Sequence, residues 1–293
     1  MAGWAEDVLH GTPPPRWPAG TGPLERFPLG PGLVTLVGGP PGCGKTALAN
    51  QLVIDAVRLS PDLRALVTCC EIPPGALLDR TLSRLSGVSY RLIRDRALRE
   101  EDRTAIRTGM ATLAGLGDRV GFHTGPFTLD AVADSADAAG ADLILIDYLQ
   151  RLTAGGLHRD RRGMTNAILD TFRAFAAAGR GLLVLSSVGR QPTGKHGKSS
   201  YTDLGLASFK ESGDIEYAAD DAFILPPADK EGLAKLKHVK ARHTEPTDIP
   251  LRPELAFMRF DLEPDDPPDE DRTAVLDRAR RLWANGPPKG GGR

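Results

Sequence analysis

The sequence predicts an α/β fold: a mostly parallel central sheet with helices on both faces, and antiparallel strands towards the carboxyl end of the chain. Three observations predict it. Unbroken apolar runs of strand length alternate with longer helical stretches over residues 33–187, the pattern of strands buried on both faces. The later apolar runs lie closer together and alternate polar with apolar residues, as antiparallel strands do. The first apolar run leads straight into a glycine-rich loop that opens a helix.

In chain order, residues 1–30 hold six prolines and read as a short helix over 4–10 followed by an extended arm. Strands are expected at 33–37, 65–70, 119–123, 143–147, 182–187, 222–225, 234–240 and 256–260. Helices are expected at about 44–59, 76–96, 100–114, 128–138 and 163–178. Residues 263–293 begin acidic and proline-rich and end glycine-rich, with a short amphipathic helix over 273–285. The division is therefore an arm (1–30), one α/β domain (31–262) and a tail (263–293). In such sheets ligands bind at the carboxyl ends of the strands, so functional residues are sought just after each run.

Composition excludes several classes. With 293 residues the chain can bury a large core without disulfide or metal staples. Its net charge of -1 excludes a uniformly basic nucleic-acid coat, though not a local basic patch. No apolar run reaches the roughly 18 residues of a membrane span, and the amino terminus has no basic start and no apolar core, so neither a membrane partner nor a secretory signal is expected. Three cysteines, two of them adjacent, make neither a disulfide framework nor a zinc spacing. A reducing cytoplasm is the expected compartment. There are 28 arginines and 9 lysines, and Lys45 alone among the lysines precedes residue 190.

Lys45 lies in the loop. Gly39-Pro40-Pro41-Gly42-Cys43-Gly44-Lys45-Thr46 is G-x-x-x-x-G-K-[ST] between a strand and a helix. Glycines let backbone amides wrap phosphate oxygens, and the helix amino end adds positive character. Lys45 would reach the β- and γ-phosphates and the Thr46 hydroxyl would ligate Mg²⁺. The same stretch also fits a dinucleotide fingerprint, G-x-G-x-x-A, through Gly42, Gly44 and Ala47. That reading leaves Lys45 and Thr46 unexplained, so a nucleoside triphosphate, ATP, is the expected ligand, held by residues 39–47.

Two acids follow strand ends. Asp147 closes the run LILID, where a carboxylate opposite the loop lysine holds Mg²⁺ directly or through water. The plain alternative is a strand-ending cap. Glu71 follows ALVTCC, where a carboxylate orients and activates water for attack on the γ-phosphate. In the dinucleotide reading it would bind a ribose. Cys69 and Cys70 read as strand filler.

The order GPPGCGKTALANQL, CCEIPPGALLDRTLSRLSGV, LILIDYLQRL, VLSSVGRQ, KESGDIEYAADDAFIL, KHVKARH resembles the carboxyl-terminal motor domain of DnaB-type replicative helicases over roughly residues 20–262. The resemblance implies a RecA-like P-loop ATPase that assembles as a ring, a hexamer in that family's pattern, with ATP between subunits and single-stranded DNA in the channel. Arg80, nine positions after Glu71, matches the family arginine beside the nucleotide base. Lys240 and Arg242 match its K-x-R pair, which enters a neighbour's site as an arginine finger, typically worth about 10³–10⁵ in rate. Replication and loader proteins are the implied partners. The sequence departs from the pattern in two places. Nothing in residues 1–30 corresponds to the family's amino-terminal helical collar. Ser187 and Gly189 stand where the family has Gln and Asn. That Gln is read as a γ-phosphate sensor coupling hydrolysis to the DNA loops, so efficient coupling is the function put in doubt.

Two basic stretches follow strand ends. Residues 151–164 carry Arg151, Arg159, Arg161 and Arg162 against Asp160; residues 189–210 carry Arg190, Lys195, Lys198 and Lys210 against Asp203; each nets +3. Glycine and serine make the second read as a mobile loop. Basic loops suit backbone contacts to single strands, and the alternative is an ordinary solvated loop. Arg162, Arg190, Lys195, Lys198 and Lys210 are the DNA-binding candidates. Two other functions fit part of this pattern: a regulatory or loading ATPase that uses ATP for protein assembly, and a small-molecule kinase, which would not need Lys240 and Arg242.

Overall fold

A computed structural model describes residues 6, 8–154, 161–189, 191–193, 198–200, 204–209 and 218–262. The expected tail, 263–293, lies outside the described residues, as do residues 1–3 and residues 4, 5 and 7 of the expected amino-terminal helix; residues 6 and 8–10 of that helix are helical.

The strands are β1 (Val34–Gly39), β2 (Ala65–Cys69), β3 (Val120–His123), β4 (Leu143–Asp147), β5 (Gly181–Ser187), β6 (Gln191–Thr193), β7 (Lys198–Ser200), β8 (Asp221–Ile224), β9 (Ala234–Ala241), β10 (Ile249–Glu254) and β11 (Arg259–Leu262). The α-helices are α1 (Lys45–Leu59), α2 (Pro74–Ser86), α3 (Tyr90–Arg94), α4 (Arg103–Ala114), α5 (Leu129–Ala139) and α6 (Arg161–Ala177). A nine-stranded sheet runs β11-β10-β9-β8-β1-β5-β4-β2-β3. It is parallel from β8 to β3 and antiparallel from β8 to β11. The mostly parallel α/β fold with an antiparallel carboxyl-terminal end is therefore what the chain adopts.

The unbroken apolar runs arise because both faces of the sheet are covered. Alternate residues point to opposite sides: Leu143, Leu145, Leu183 and Leu185 pack with Leu48, Leu52 and Val53 of α1, whereas Ile144, Ile146, Leu182 and Val184 pack with Val132 of α5 and Ile168 and Phe172 of α6. Each fully buried side chain contributes on the order of 1.5–3 kcal/mol. The arm joins the first of these cores through Leu24, Phe27 and Leu29, and Phe27 stacks on Phe223, which stacks on His238.

Helices α2 to α4 form a satellite with its own small core of Leu82, Val88, Ile93 and Ile106. Its seam with α1 joins Leu77, buried in the main core, to two polar contacts. Asn50 donates to Thr81 Oγ1 at 2.7 Å, and Arg84 pairs with Asp55 through two bonds of 2.9 and 3.0 Å.

Four features differ from the sequence reading. The single helix expected over 76–96 breaks at Gly87, which is left-handed (φ 68°) and caps α2 by donating to Ser83 O; apolar spacing continues across the break and conceals it. β10 was not expected, because Pro250 and Pro253 argue against a strand. Its ladder with β9 covers 249–251 and that with β11 covers 251–254, so each proline interrupts only one ladder. Of the strand expected at 256–260, Leu255–Phe257 instead forms a 3-10 turn, and β11 starts only after Met258 (φ 53°). The second basic stretch, read as a loop, contains the β6–β7 hairpin, with Gln191 opposite Ser200. Among the described residues no helix is long and apolar enough to cross a membrane.

Candidate functional site: a cleft at the carboxyl ends of the strands

β1 ends in Gly39, and the loop that follows turns into α1 at Gly44, a left-handed residue (φ 94°). A Cβ at Gly44 would lie 2.8 Å from the Phe260 ring and 2.9 Å from Leu255, so only glycine fits against the carboxyl-terminal hairpin. Gly42 is also left-handed (φ 79°), with open space where its Cβ would be. The loop thus forms a cradle with its amides beside the start of α1. Lys45 folds back over it, donating to Gly39 O at 2.8 Å and Pro40 O at 2.9 Å.

Thr46 and Asp147, 101 residues apart, meet here: the Thr46 hydroxyl donates to Asp147 Oδ2 at 2.7 Å. The Cys69 thiol donates to the same oxygen at 3.4 Å. β4 lies beside β2 with Cys69 opposite Asp147, which explains the meeting. Burial pushes the Asp147 carboxyl above the usual carboxylate range, opposed by the Thr46 and Cys69 bonds and the Lys45 charge. Burial first and Asp147 next push the Cys69 thiol to about 12, and the same two causes push Cys70 to about 11.

These groups line a cleft of about 480 Å³. Pro41, Gly42, Gly44, Lys45, Thr46 and Ala47 form its floor, and Glu71, Arg80 and Asp147 reach it from β2, α2 and β4. Glu71 is half exposed, with Arg151 Nη2 3.4 Å from its Oε1. Arg80 stands over the Tyr90 ring at 5.6 Å. Its Nε is buried with no hydrogen-bond partner, a donor awaiting an acceptor. An open glycine cradle, a lysine, a hydroxyl beside a carboxylate and this orphaned donor are a donor set that fits a nucleoside triphosphate with Mg²⁺. Among the described residues no group of three or more His, Cys, Asp or Glu side chains could hold a metal. The pair Thr46 and Asp147 suits an ion that keeps waters and takes phosphate oxygens.

The other expected residues lie elsewhere. Gly39 and Pro40 stand behind the cradle, and Cys43 is buried. Lys240 and Arg242 are at the far end of the sheet, at the start of β8: Lys240 donates to Ala219 O at 2.6 Å, and Arg242 pairs at 3.1 Å with Asp220, which is 4% exposed. The same carboxylate holds Arg173 and accepts from Val34 N at 2.9 Å. Lys198 is in β7 and Arg162 in the first turn of α6; Arg190, Lys195 and Lys210 lie outside the described residues. Sequence reasoning missed Tyr148, Leu255 and Met258, which complete the cleft. It also missed Gln150, which donates to Ser186 Oγ at 2.9 Å and accepts from Ser187 N at 3.4 Å. Tyr148 and Gln150 flank a motif already found. Leu255 and Met258 follow a strand that was not expected and carry no local signal.

Among the solved structures that share this architecture, two are similar over most of the chain. One is "ATPase Domain of G40P", with TM-score 0.77 and 16% identity over 90% of this chain and 96% of that one. The other was described as a DnaB-like replicative helicase with its interactions with primase, with TM-score 0.75 and 16% identity over 88% of this chain and 64% of that one. At such identities they speak for the fold. No curated protein sequence matches the chain. The family model of the DnaB-like helicase C terminal domain matches residues 28–261, from the end of the arm through β11. A match across the cradle, the whole sheet and the carboxyl-terminal hairpin leaves one conclusion: the chain belongs to the DnaB-like helicase C-terminal domain family.

Proposed function

We propose that the chain is the motor of a ring-forming, ATP-hydrolysing DNA helicase or translocase that acts on single-stranded DNA during replication in the cytoplasm. The observation that carries this reading is the convergence of Lys45, Thr46, Asp147 and Glu71 on one cleft. Lys45 and the cradle amides bind the phosphates, and Lys45 stabilises the charge that grows on the γ-phosphate. Thr46 and Asp147 hold Mg²⁺, which when bound neutralises phosphate charge. Glu71, half exposed at the rim, accepts a proton from the attacking water. Arg80 supports the nucleotide from the α2 side, with Leu255 and Met258 as an apolar wall.

Lys240 and Arg242 act across a subunit boundary. Asp221 at the start of β8 pairs with Thr35, and the cradle begins beyond Gly39, roughly 13 Å further along the sheet. A finger at that end serves a neighbour's cleft more readily than its own. Subunits so joined head to tail close a ring, a hexamer in this reading. Arg162, Arg190, Lys195, Lys198 and Lys210 are the proposed contacts to the DNA backbone, and replication or loader proteins are the partners.

A second reading, an ATPase that uses ATP for assembly without efficient unwinding, is favoured by Ser187, whose short side chain lines the cleft where a longer amide would span to the following loop. The test is ATPase rate with and without oligodeoxythymidylate, alongside mass in solution with ATP. The motor reading expects hydrolysis lost in Lys45→Ala, a ring-sized mass and stimulation by DNA. Hydrolysis and assembly without DNA binding would establish the second reading instead.

A further inference from the structure

We infer that Arg151 is a positioning residue that restrains Glu71 and releases it when a DNA phosphate claims the guanidinium. The inference rests on the reading of Glu71 as the base. Arg151 ends the 3-10 turn Leu149–Arg151, directly after β4, the strand that carries Asp147. Its Nη2 lies 3.4 Å from Glu71 Oε1. This joins the rim of the nucleotide cleft to the first residue of a basic stretch whose following residues include Arg159, Arg161 and Arg162.

The geometry suits exchange of partners. Leu149 and Leu152 are each 2% exposed and pin the backbone on both sides of Arg151. Thr153 is tied to the neighbouring loop, donating to Phe127 O and accepting from Leu129 N. The side chain, which bonds the Tyr148 side chain as well as Glu71, is the part left to move. Its side chain is 59% exposed and that of Glu71 50%, and an ion pair so open to water is weak. A phosphodiester offers a guanidinium a charge-assisted, two-pronged acceptor, and the stretch that begins at Arg151 nets positive charge in the sequence, which favours a single strand. While Arg151 sits on Glu71, it occupies one carboxylate oxygen. Once Arg151 turns to a phosphate, both oxygens are free to take the proton of the attacking water. Coupling then runs through the rim of the cleft rather than through the end of β5, where Ser187 is too short to span.

The experiment measures steady-state hydrolysis by the full chain and by Arg151→Ala, Arg151→Gln and Arg151→Lys, each with and without oligodeoxythymidylate, with oligonucleotide binding followed separately by anisotropy. Lys45→Ala serves as the reference for the ATPase reading. Release of a weak pair predicts that Arg151→Ala and Arg151→Gln raise kcat without DNA by about three- to fivefold, leave KM for ATP unchanged and reduce the stimulation ratio towards one. Arg151→Lys should retain most of that ratio. A merely structural role would lower kcat or raise KM. An unchanged stimulation ratio in Arg151→Ala would overturn the inference, as would a lowered kcat with the ratio preserved. Binding of the oligonucleotide without any stimulation of the parent protein would overturn the relay while leaving the ATPase reading intact. Hydrolysis unaffected by Lys45→Ala would overturn that reading and the relay with it.

Discussion

The side-chain amide of Gln51 satisfies both backbone groups of Phe260, donating to its carbonyl at 2.9 Å and accepting from its N–H at 2.8 Å. β11 is the edge strand of the sheet, so these groups face no further strand. A residue two turns into α1 thereby fastens the helix that starts with Lys45 and Thr46 to the hairpin that packs on Gly44. Gln51→Leu leaves a buried donor and acceptor unpaired, and each costs about 1–3 kcal/mol. The expected loss is roughly 2–4 kcal/mol by urea denaturation. A loss under about 0.5 kcal/mol would mean that water replaces the amide.

Sharing of the site between subunits is tested by complementation. Glu71→Gln should bind ATP and lose turnover, since only the proposed base is altered. Arg242→Ala should bind ATP and hydrolyse it about 10³-fold or more slowly. Mixed rings contain interfaces with one good base and one good finger, so mixtures should exceed both parents. If verified subunit exchange gives no such gain, the finger does not act in trans.

Ser187 and Gln150 make a separate prediction. The Gln150 amide already bridges Ser186 and the Ser187 backbone, and no long side chain leaves β5 towards the basic stretch. Ser187→Gln adds one. It should raise the ratio of DNA-stimulated to basal rate by about two- to fivefold, the yield of one added hydrogen bond of roughly 0.5–1 kcal/mol, and move the basal rate less. A fall in that ratio would show that the end of β5 is wired differently.

The cysteines give a pH-dependent outcome. A raised thiol pKa means less thiolate at a given pH, and the thiolate is the reactive form. With Cys69 pushed to about 12 and Cys70 to about 11, thiolate fractions at pH 8 are on the order of one in ten thousand and one in a thousand. Iodoacetamide at pH 8 should therefore leave both unmodified in the native protein by mass spectrometry. Both should react in urea, where their pKa values return to about 8.5. Rapid native labelling of Cys69 would contradict its bond to Asp147.

The parts of the fold readable in the sequence are those whose cause is local. LILID and LLVLSS declare strands covered on both faces, and GPPGCGKT declares a strand–loop–helix turn, because sequence neighbours are structural neighbours there. Gly87 was not read as a break because Leu82 and Ile93, eleven positions apart, fall on one helical face across it. β10 was lost to two prolines whose harm depends on which ladder each one meets. The same limit applies to the cleft. Lys45, Thr46, Glu71 and Asp147 announce themselves by type and by place after a strand, whereas Arg80 came only from the family resemblance. Leu255 and Met258 do not: the hairpin that carries them is fixed against α1 by the contact between Gln51 and Phe260, 209 residues apart, and no local pattern encodes such a contact.

The seam between α1 and the α2–α4 satellite gives the cleft two stiffnesses. The cradle is backed by the main core, and displacing it would expose apolar surface on both sides of the sheet. The wall that carries Arg80 joins α1 through Asn50–Thr81 and Asp55–Arg84, contacts that water can replace once the seam parts, and through few apolar side chains, Leu77 and Leu113. The satellite keeps its own core and can tilt as a unit without unfolding. Breathing of the cleft is therefore concentrated on one wall: the phosphate end holds its shape while the Arg80 end yields, and a nucleotide would enter and leave by that compliant side.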